Sequence, residues 1–364
     1  MVLDTNFVFQ GIIDEYISFI WTDRYNLYGD FELYVPMSST ILSLVQRNWY
    51  LRIETSDHLM IIESLKITTD VENGPSLLIS GRSLESILTR RIIWTQTVCK
   101  ANTKLLTVFN TLIGDNIWNA SIEARKISIL RENVWWFTED RDALNVVKIP
   151  GDIQFTGDNL YDVISDLCLQ YNWGYKIAKY PADDTLFKII LYLGKDRSYA
   201  QNERPYVEFS PNFDNLVNSE YNIDATNYKN VTLVAGEGEG IDRRTELVDD
   251  GGYTDLDRYE LYTDARDLSS NTDSGDLTDA EYKQVLRNRG LSKLAETTVT
   301  SNFDASVDYK SMYKYGTDYG IGDIVQFTNE FGITARVRVK EFIQSDSVEN
   351  GMEQYPTFEI LEED

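Results

Sequence analysis

Residues 58–80 read HLMIIESLKITTDVENGPSLLIS. Two apolar runs rich in β-branched residues flank Asn73-Gly74, the dipeptide that most readily takes the left-handed backbone of a hairpin turn. No other feature constrains the fold as tightly, because it commits both flanks to antiparallel pairing. Neighbouring segments agree with a sheet. GDFELYVP alternates, with Phe31, Leu33 and Val35 against Glu32 and Tyr34, and WYLRIET sets Trp49, Leu51 and Ile53 against Arg52 and Glu54. NFVFQGIIDEYISFIW is apolar on both sides, the pattern of a strand buried on both faces, although period alone leaves a helix open. With 23 Tyr, 12% aromatic residues and only 7 Pro, the composition also leans toward sheet. At least five strands with short links predict a small antiparallel barrel or sandwich over residues 1–97.

The stretch LLISGRSLESILTRRIIW, residues 77–94, closes this unit. It reads as a strand end, a sharp turn at Gly81, and a short helix capped by Ser83 with Leu84, Ile87, Leu88 and Arg91 at helical spacing. Glu85 falls in the first turn and Arg90 and Arg91 in the last, the placement that the helix dipole favours. Arg82, Arg90 and Arg91 form a basic island in a chain with 34 basic and 59 acidic side chains and a net charge of -25.

From residue 98 the pattern changes to α/β. Leu105, Leu106, Phe109 and Leu112 make one helical stripe. Leu160, Val163, Ile164, Leu167, Cys168 and Tyr171 make another, which begins after Thr156-Gly157 and stops near Gly174. The strand TLFKIILYLG follows. Beyond Pro205 the strands YVEFSP, NLVNSEYNI and NVTLVAGEGEG lead into a polar, acidic insertion with one helix, where Thr278 and Glu281 have capping-box spacing. TTVTSNFD, DIVQFTN, ITARVRVKEFIQ and PTFEIL return to strand, with Ile333, Ala335, Val337 and Val339 opposite Arg336, Arg338 and Lys340. The fold class is therefore mixed β and α+β. The order along the chain is β, α/β, β, a polar insertion from about 241 to 276 followed by one helix, and β.

Chemistry is harder to find. No segment reaches the roughly 20 apolar residues of a membrane span. MVLDTNFVFQ lacks a basic start and apolar core, so assembly in a cytoplasm is expected. Cys99 and Cys168 lie far apart in sequence and are expected to stay reduced and buried. The acid excess argues against a duplex-gripping surface, but not against one that nucleic acid slides past. Gly236 to Gly240 in VAGEGEG lacks the following helix and βαβ unit of a dinucleotide site and would set two carboxylates, Glu237 and Glu239, against the phosphates, so a glycine-rich loop is the better reading. Gly81-Arg82-Ser83 gives half a nucleophile elbow, but Glu85 stands where its second glycine belongs. The sole histidine, His58, reads as a turn residue rather than a base for serine. One His and two distant Cys make no zinc site. Asp267, Asp273, Asp276 and Asp279 miss the spacing of a calcium loop, leaving loose calcium binding open. With so many acids, a carboxylate pair carries no signal for glycoside hydrolysis. Trp135-Trp136-Phe137 reads as core, with a sugar-stacking or docking loop as the alternative.

The order of segments is more telling. FQGIIDEYISFIWTDRYNLYGDFELYVP, LLISGRSLESILTRRII, DRYELYTDARDLS and YGIGDIVQFTNEFGITARVRVKEFI together resemble the baseplate hub, or tail-associated protein, family of long-tailed phages of Gram-positive hosts. The resemblance runs from Asp4 onward over almost the whole chain. It implies two tube-type antiparallel β-barrel or sandwich domains per chain, 1–97 and 206–240 with 297–364, an α/β domain at 98–205, a helical insertion at 241–296 interrupting the second tube domain, and three chains in a ring that fits a six-fold tail tube to a three-fold tip. It implies a virion protein at the tail tip that meets the distal tail or tail-tube protein, the tape measure protein and tip or receptor-binding proteins, with genomic DNA passing through its lumen. Some relatives carry a cell-wall hydrolase or fibre extension. This chain ends at EILEED directly after its last strand, so no lytic module, enzyme activity or cofactor is expected. The alternative is a monomeric carbohydrate-binding protein of the tail tip. In a ring, Arg82, Arg90 and Arg91 are candidates for ion pairs with the next domain or subunit.

Overall fold

The computed structural model describes residues 1–70, 74–272, 275–307, 312–348 and 351–361. They form two compact units. The first comprises Met1–Ser86, Gly174–Asn222 and Ser301–Asp364, and the second Ile87–Trp173 and Ile223–Thr300. The segments 98–205 and 206–240 do not coincide with these units, because strand pairing joins residues distant in sequence.

One sheet dominates the first unit. Its strands run in the order Leu216–Asp224, Thr300–Val307, Gly351–Ile360, Thr334–Ser347, Ser18–Arg24, Asp30–Pro36, Gly74–Ser83, Met60–Asp70, Tyr50–Leu51, Val2–Leu3 and Phe9–Gly11, and Ile324–Thr328 pairs beside Thr334–Ser347. The hairpin flanks pair as expected, down to Asp70 opposite Gly74. Val71, Glu72 and Asn73 of its turn lie outside the described residues. Alternation then sorts the side chains. Trp21, Phe31, Val35, Met60, Ile62, Leu77 and Ile79 bury one core, and Val207, Phe209, Val325, Phe327, Val337, Val339, Phe342 and Phe358 bury a second. The opposite face of the central strands is half solvated. There the row Ser345, Ile20, Glu32, Ser80, Ser64 crosses five strands, beside the row Ser347, Ser18, Tyr34, Leu78, Lys66.

The two β halves meet where Thr334–Ser347 pairs antiparallel with Ser18–Arg24. Arg24 fastens this seam, donating to Glu341 Oε1 and to Asp30 Oδ2 at 2.6 Å each. Arg338 departs from the expected alternation. It is buried, its guanidinium lies 5.1 Å from the Tyr25 ring, and it donates to the Gly322 carbonyl at 3.0 Å.

Gly81 is not a turn residue. It lies within the Gly74–Ser83 strand beside a bulge in the partner strand, and a Cβ there would sit 1.8 Å from the Ile61 carbonyl oxygen. Close backbone approach, rather than turning, requires this glycine. The segment read as a doubly buried strand is also different. Only Phe9–Gly11 and Ser18–Arg24 are strands, and Ile12, Ile17 and Ile20 are exposed. A hairpin of Gly174–Tyr180 and Asp183–Tyr192 completes the unit, burying Tyr175, Ile177, Ile189 and Leu191.

In the second unit the stripes read from sequence do form helices, Leu105–Ile113 and Leu160–Gln170, the latter capped by Asn159 accepting from Tyr161 N. Asn172, with φ +55°, takes the left-handed turn assigned above to Gly174. Val231–Ala235 pairs with Thr245–Val248 and, in parallel, with Glu260–Asp264. Helix Asp279–Ala295 covers this small sheet, with the full Thr278/Glu281 capping box in place. Trp135, Trp136 and Phe137 are not core, since more than a third of each is exposed.

Candidate interaction site

Leu84–Arg90 folds as a 3-10 helix, and Leu84, Ile87 and Leu88 are buried as their spacing predicts. Ser83 does not begin a capped α-helix; it is the last strand residue, and its Oγ accepts from Gly29 N at 2.8 Å. Glu85 lies in the first turn and Arg90 in the last, as expected, and Glu85 is fully buried.

The three arginines go separate ways. Arg82 grips Glu63 of its own sheet with two bonds, 2.7 and 2.8 Å, and lies over the Tyr28 ring. Arg90 is exposed. Arg91 donates from Nε to the Arg125 carbonyl at 2.6 Å, and Arg125 returns the contact from Nη2 to the Ile92 carbonyl at 2.6 Å. This reciprocal clasp is fixed from behind by buried Asn116, whose Oδ1 accepts from Trp94 N and from Arg125. The Asn159 amide also ties the Thr89 carbonyl to the start of the Leu160–Gln170 helix. The Arg125 guanidinium covers Trp94 at 4.9 Å, yet Trp94 remains 54% exposed, and Ile92, two positions before it, is exposed as well. Among the described residues, Arg90, Arg91 and Arg125 form no ion pair. Burial, then the like charges of Arg125 and Arg90, hold the Arg91 pKa below the usual arginine range.

A second cluster is buried in the first unit. His58 Nδ1 lies 3.2 Å from Glu85 Oε1, which also accepts from Ile177 N at 2.6 Å. Asp23 Oδ1 accepts from Ser56 Oγ and Trp21 Nε1. Burial alone would lower the His58 pKa, but the charges of Glu85 and Asp23 outweigh it and raise it to about 9. Burial also opposes ionisation of Glu85, yet His58 and the hydrogen bonds hold its pKa below the normal value; Asp23 is pushed up, by burial first. The chain's one histidine is therefore a buried cation in the core, not a turn residue. Its Nδ1 partner is the Glu85 carboxylate, and through Ile177 N the same carboxylate links a third segment to the pair.

Residues 1–358 match the family described as Siphovirus ReqiPepy6 Gp37-like protein. The chain belongs to this siphovirus tail-protein family. The tail protein finds no match among curated proteins. Its fold is similar to that of solved tail proteins. The tail protein from Neisseria meningitidis MC58 gives a TM-score of 0.57 at 12% identity, over 95% of this chain and 92% of that one. The 43 kDa tail protein of prophage MuSo2 from Shewanella oneidensis gives 0.54 at 13%, over 96% and 95%. Prophage tail protein gp18 from Listeria monocytogenes EGD-e gives 0.50 at 13%, over 100% and 94%. The tail protein is thus a mixed, sheet-dominated virion component of the phage-tail type.

Other sequence motifs of the tail protein have structural explanations. In the glycine-rich loop, Glu237 N donates to Tyr282 Oη, and the Glu237 carboxylate takes Arg244 and Ser270 N. Asp267 and Asp279 pair with Arg289 and Arg244. Asp273 lies outside the described residues, among which no acidic, His or Cys group is arranged to hold a metal. No helix among them is long and apolar enough to cross a membrane. Sequence reasoning missed Arg125 and Asn116, because Arg125 lies 34 residues from Arg91 and nothing in that spacing links the two.

Proposed function

We propose that this tail protein is a non-enzymatic baseplate hub, needing no cofactor, that forms a trimeric ring at the tail tip after assembly in the host cytoplasm. Each chain supplies two tube-type β domains, so three chains match a six-fold tube to a three-fold tip. The ring meets the distal tail or tail-tube protein, the tape measure protein and the tip or receptor-binding proteins, and it lines the passage for DNA. The observation that carries this reading is the shared sheet. Two β halves stand edge to edge, with their cores on one side and, on the other, rows of serines with Ile20, Glu32, Tyr34, Leu78 and Lys66. Such a face offers phosphates little to hold. In the ring, Arg90 and Arg91 supply cations to the neighbouring subunit.

Cryo-electron microscopy of the tail tip tests this. Three copies around a lumen lined by the Ser64, Ser80 and Ser345 face are expected. A basic bore with the acids on the outer wall, or a copy number other than three, overturns the reading. The exposed Trp135 and Trp136 keep a monomeric carbohydrate binder as the competing reading. That competitor predicts host-wall glycan retention lost in Trp136→Ala, whereas the hub predicts no retention.

A further inference from the structure

The clasped arginines raise a question of charge. Elsewhere in this chain Arg24, Arg197, Arg243, Arg258 and Arg336 lie against carboxylates. Arg90, Arg91 and Arg125 are instead gathered together, two of them locked onto main-chain carbonyls, beside an exposed tryptophan. The clasp holds like charges in place in a chain of net charge -25. A basic, partly aromatic surface fixed in this way is organised to receive an acidic group that carries an apolar side chain.

The same chain displays such a group. Asp255–Asp257 is a 3-10 turn whose first residue has φ +52°, and it presents Leu256 at 85% exposure between two exposed carboxylates. Neither Asp255 nor Asp257 forms an ion pair among the described residues, while adjacent Arg258 is taken by Asp249 and Glu260. The turn is held firmly. Asn230 donates to the Asp257 carbonyl at 2.7 Å and accepts from Tyr259 N at 2.9 Å. The turn therefore presents Leu256 and its two flanking carboxylates in a fixed geometry. Ile241 is also fully exposed, but it stands between Gly240 and Asp242, with one adjacent carboxylate where Leu256 has two.

We propose that Asp255-Leu256-Asp257 of one copy docks onto the Arg90, Arg91, Arg125 and Trp94 surface of a second copy. Leu256 packs on Trp94 and Ile92, and the two aspartates face the guanidiniums. The contact joins different surfaces of the two copies, so repeating it closes a ring or extends a filament. It rests on the hub reading for its biological setting.

Two full-length variants, Trp94→Cys and Leu256→Cys, test the contact when mixed under mild oxidation. The native Cys99 and Cys168 are buried and give little background. A disulfide-linked heterodimer is expected from the mixture and from neither variant alone. Adding Arg90→Glu and Arg91→Glu to the first variant is expected to cut its yield about tenfold or more, and Asp255→Arg with Asp257→Arg in the second is expected to restore it. No heterodimer, equal capture by Ile241→Cys, or indifference to charge reversal overturns the proposal. Imaging of tail tips keeps the two readings apart. A three-fold ring with Leu256 remote from Trp94 leaves the hub and removes this contact. A cross-link in solution without any ring at the tip leaves the contact and removes the hub.

Discussion

Replacing His58 by Gln tests whether the buried cluster holds its charge. The His58 pKa stands at about 9 in the folded chain, against 6.5 for a free imidazole. A raised pKa means that the folded state keeps a proton the unfolded state loses. The stabilisation is complete below pH 6.5 and disappears as pH rises through about 9. A shift of that size is worth about 3 kcal/mol, with stability falling by about 1.4 kcal/mol for each pH unit in the window. Glu85 acts at the other end. Its lowered pKa gives stability that is present above the normal carboxylate range and lost as pH falls through it. Asp23, pushed up by burial, opposes Glu85 there. Urea unfolding across the window from pH 6.5 to about 9 is the assay. The native chain should lose stability steadily, and His58→Gln should flatten the gradient. His58→Gln also strands Glu85 as a buried anion, costing about 3 to 5 kcal/mol, so His58→Gln with Glu85→Gln is the companion variant and should recover part of that loss. An unchanged gradient in either variant would refute a buried imidazolium.

Two further perturbations follow from packing and capping. Gly81→Ala forces a methyl group onto the Ile61 carbonyl and should cost about 1 to 3 kcal/mol or prevent folding, read from the urea midpoint. Thr278→Ala removes half of the capping box on Asp279–Ala295 and should cost about 1 kcal/mol in the same measurement, with the loss largely recovered by Thr278→Ser.

Legibility followed the range of the interactions. The hairpin around Gly74 and the Thr278 cap are set by residues within a few positions of each other, and both read correctly. The helical stripes at Leu105 and Leu160 also survived, because a periodic apolar face is itself the cause of burial. Apolar content misled at Ile12 and Ile20, since a run of isoleucines does not tell which face of a sheet will be covered; Ile20 lies in the half-solvated row with Ser80 and Glu32. The basic island was visible, but its division was not. Arg82 meets Glu63 only through strand register, and Arg91 meets Arg125 only through tertiary folding. His58 looked like a turn residue because its partner Glu85 lies 27 positions away.

The seam between the β halves bears on how the chain reaches its native state. Arg24 and the Glu341 it bonds are 317 residues apart. During synthesis the Ser18–Arg24 strand must wait, with one side lacking its partner, while the intervening polypeptide leaves the ribosome. Contacts of such long sequence separation make for slow folding, and a waiting strand edge invites pairing with the wrong chain. Polar Ser18 and Thr22 and charged Asp23 and Arg24 make that edge a poor template for aggregation until Thr334–Ser347 arrives.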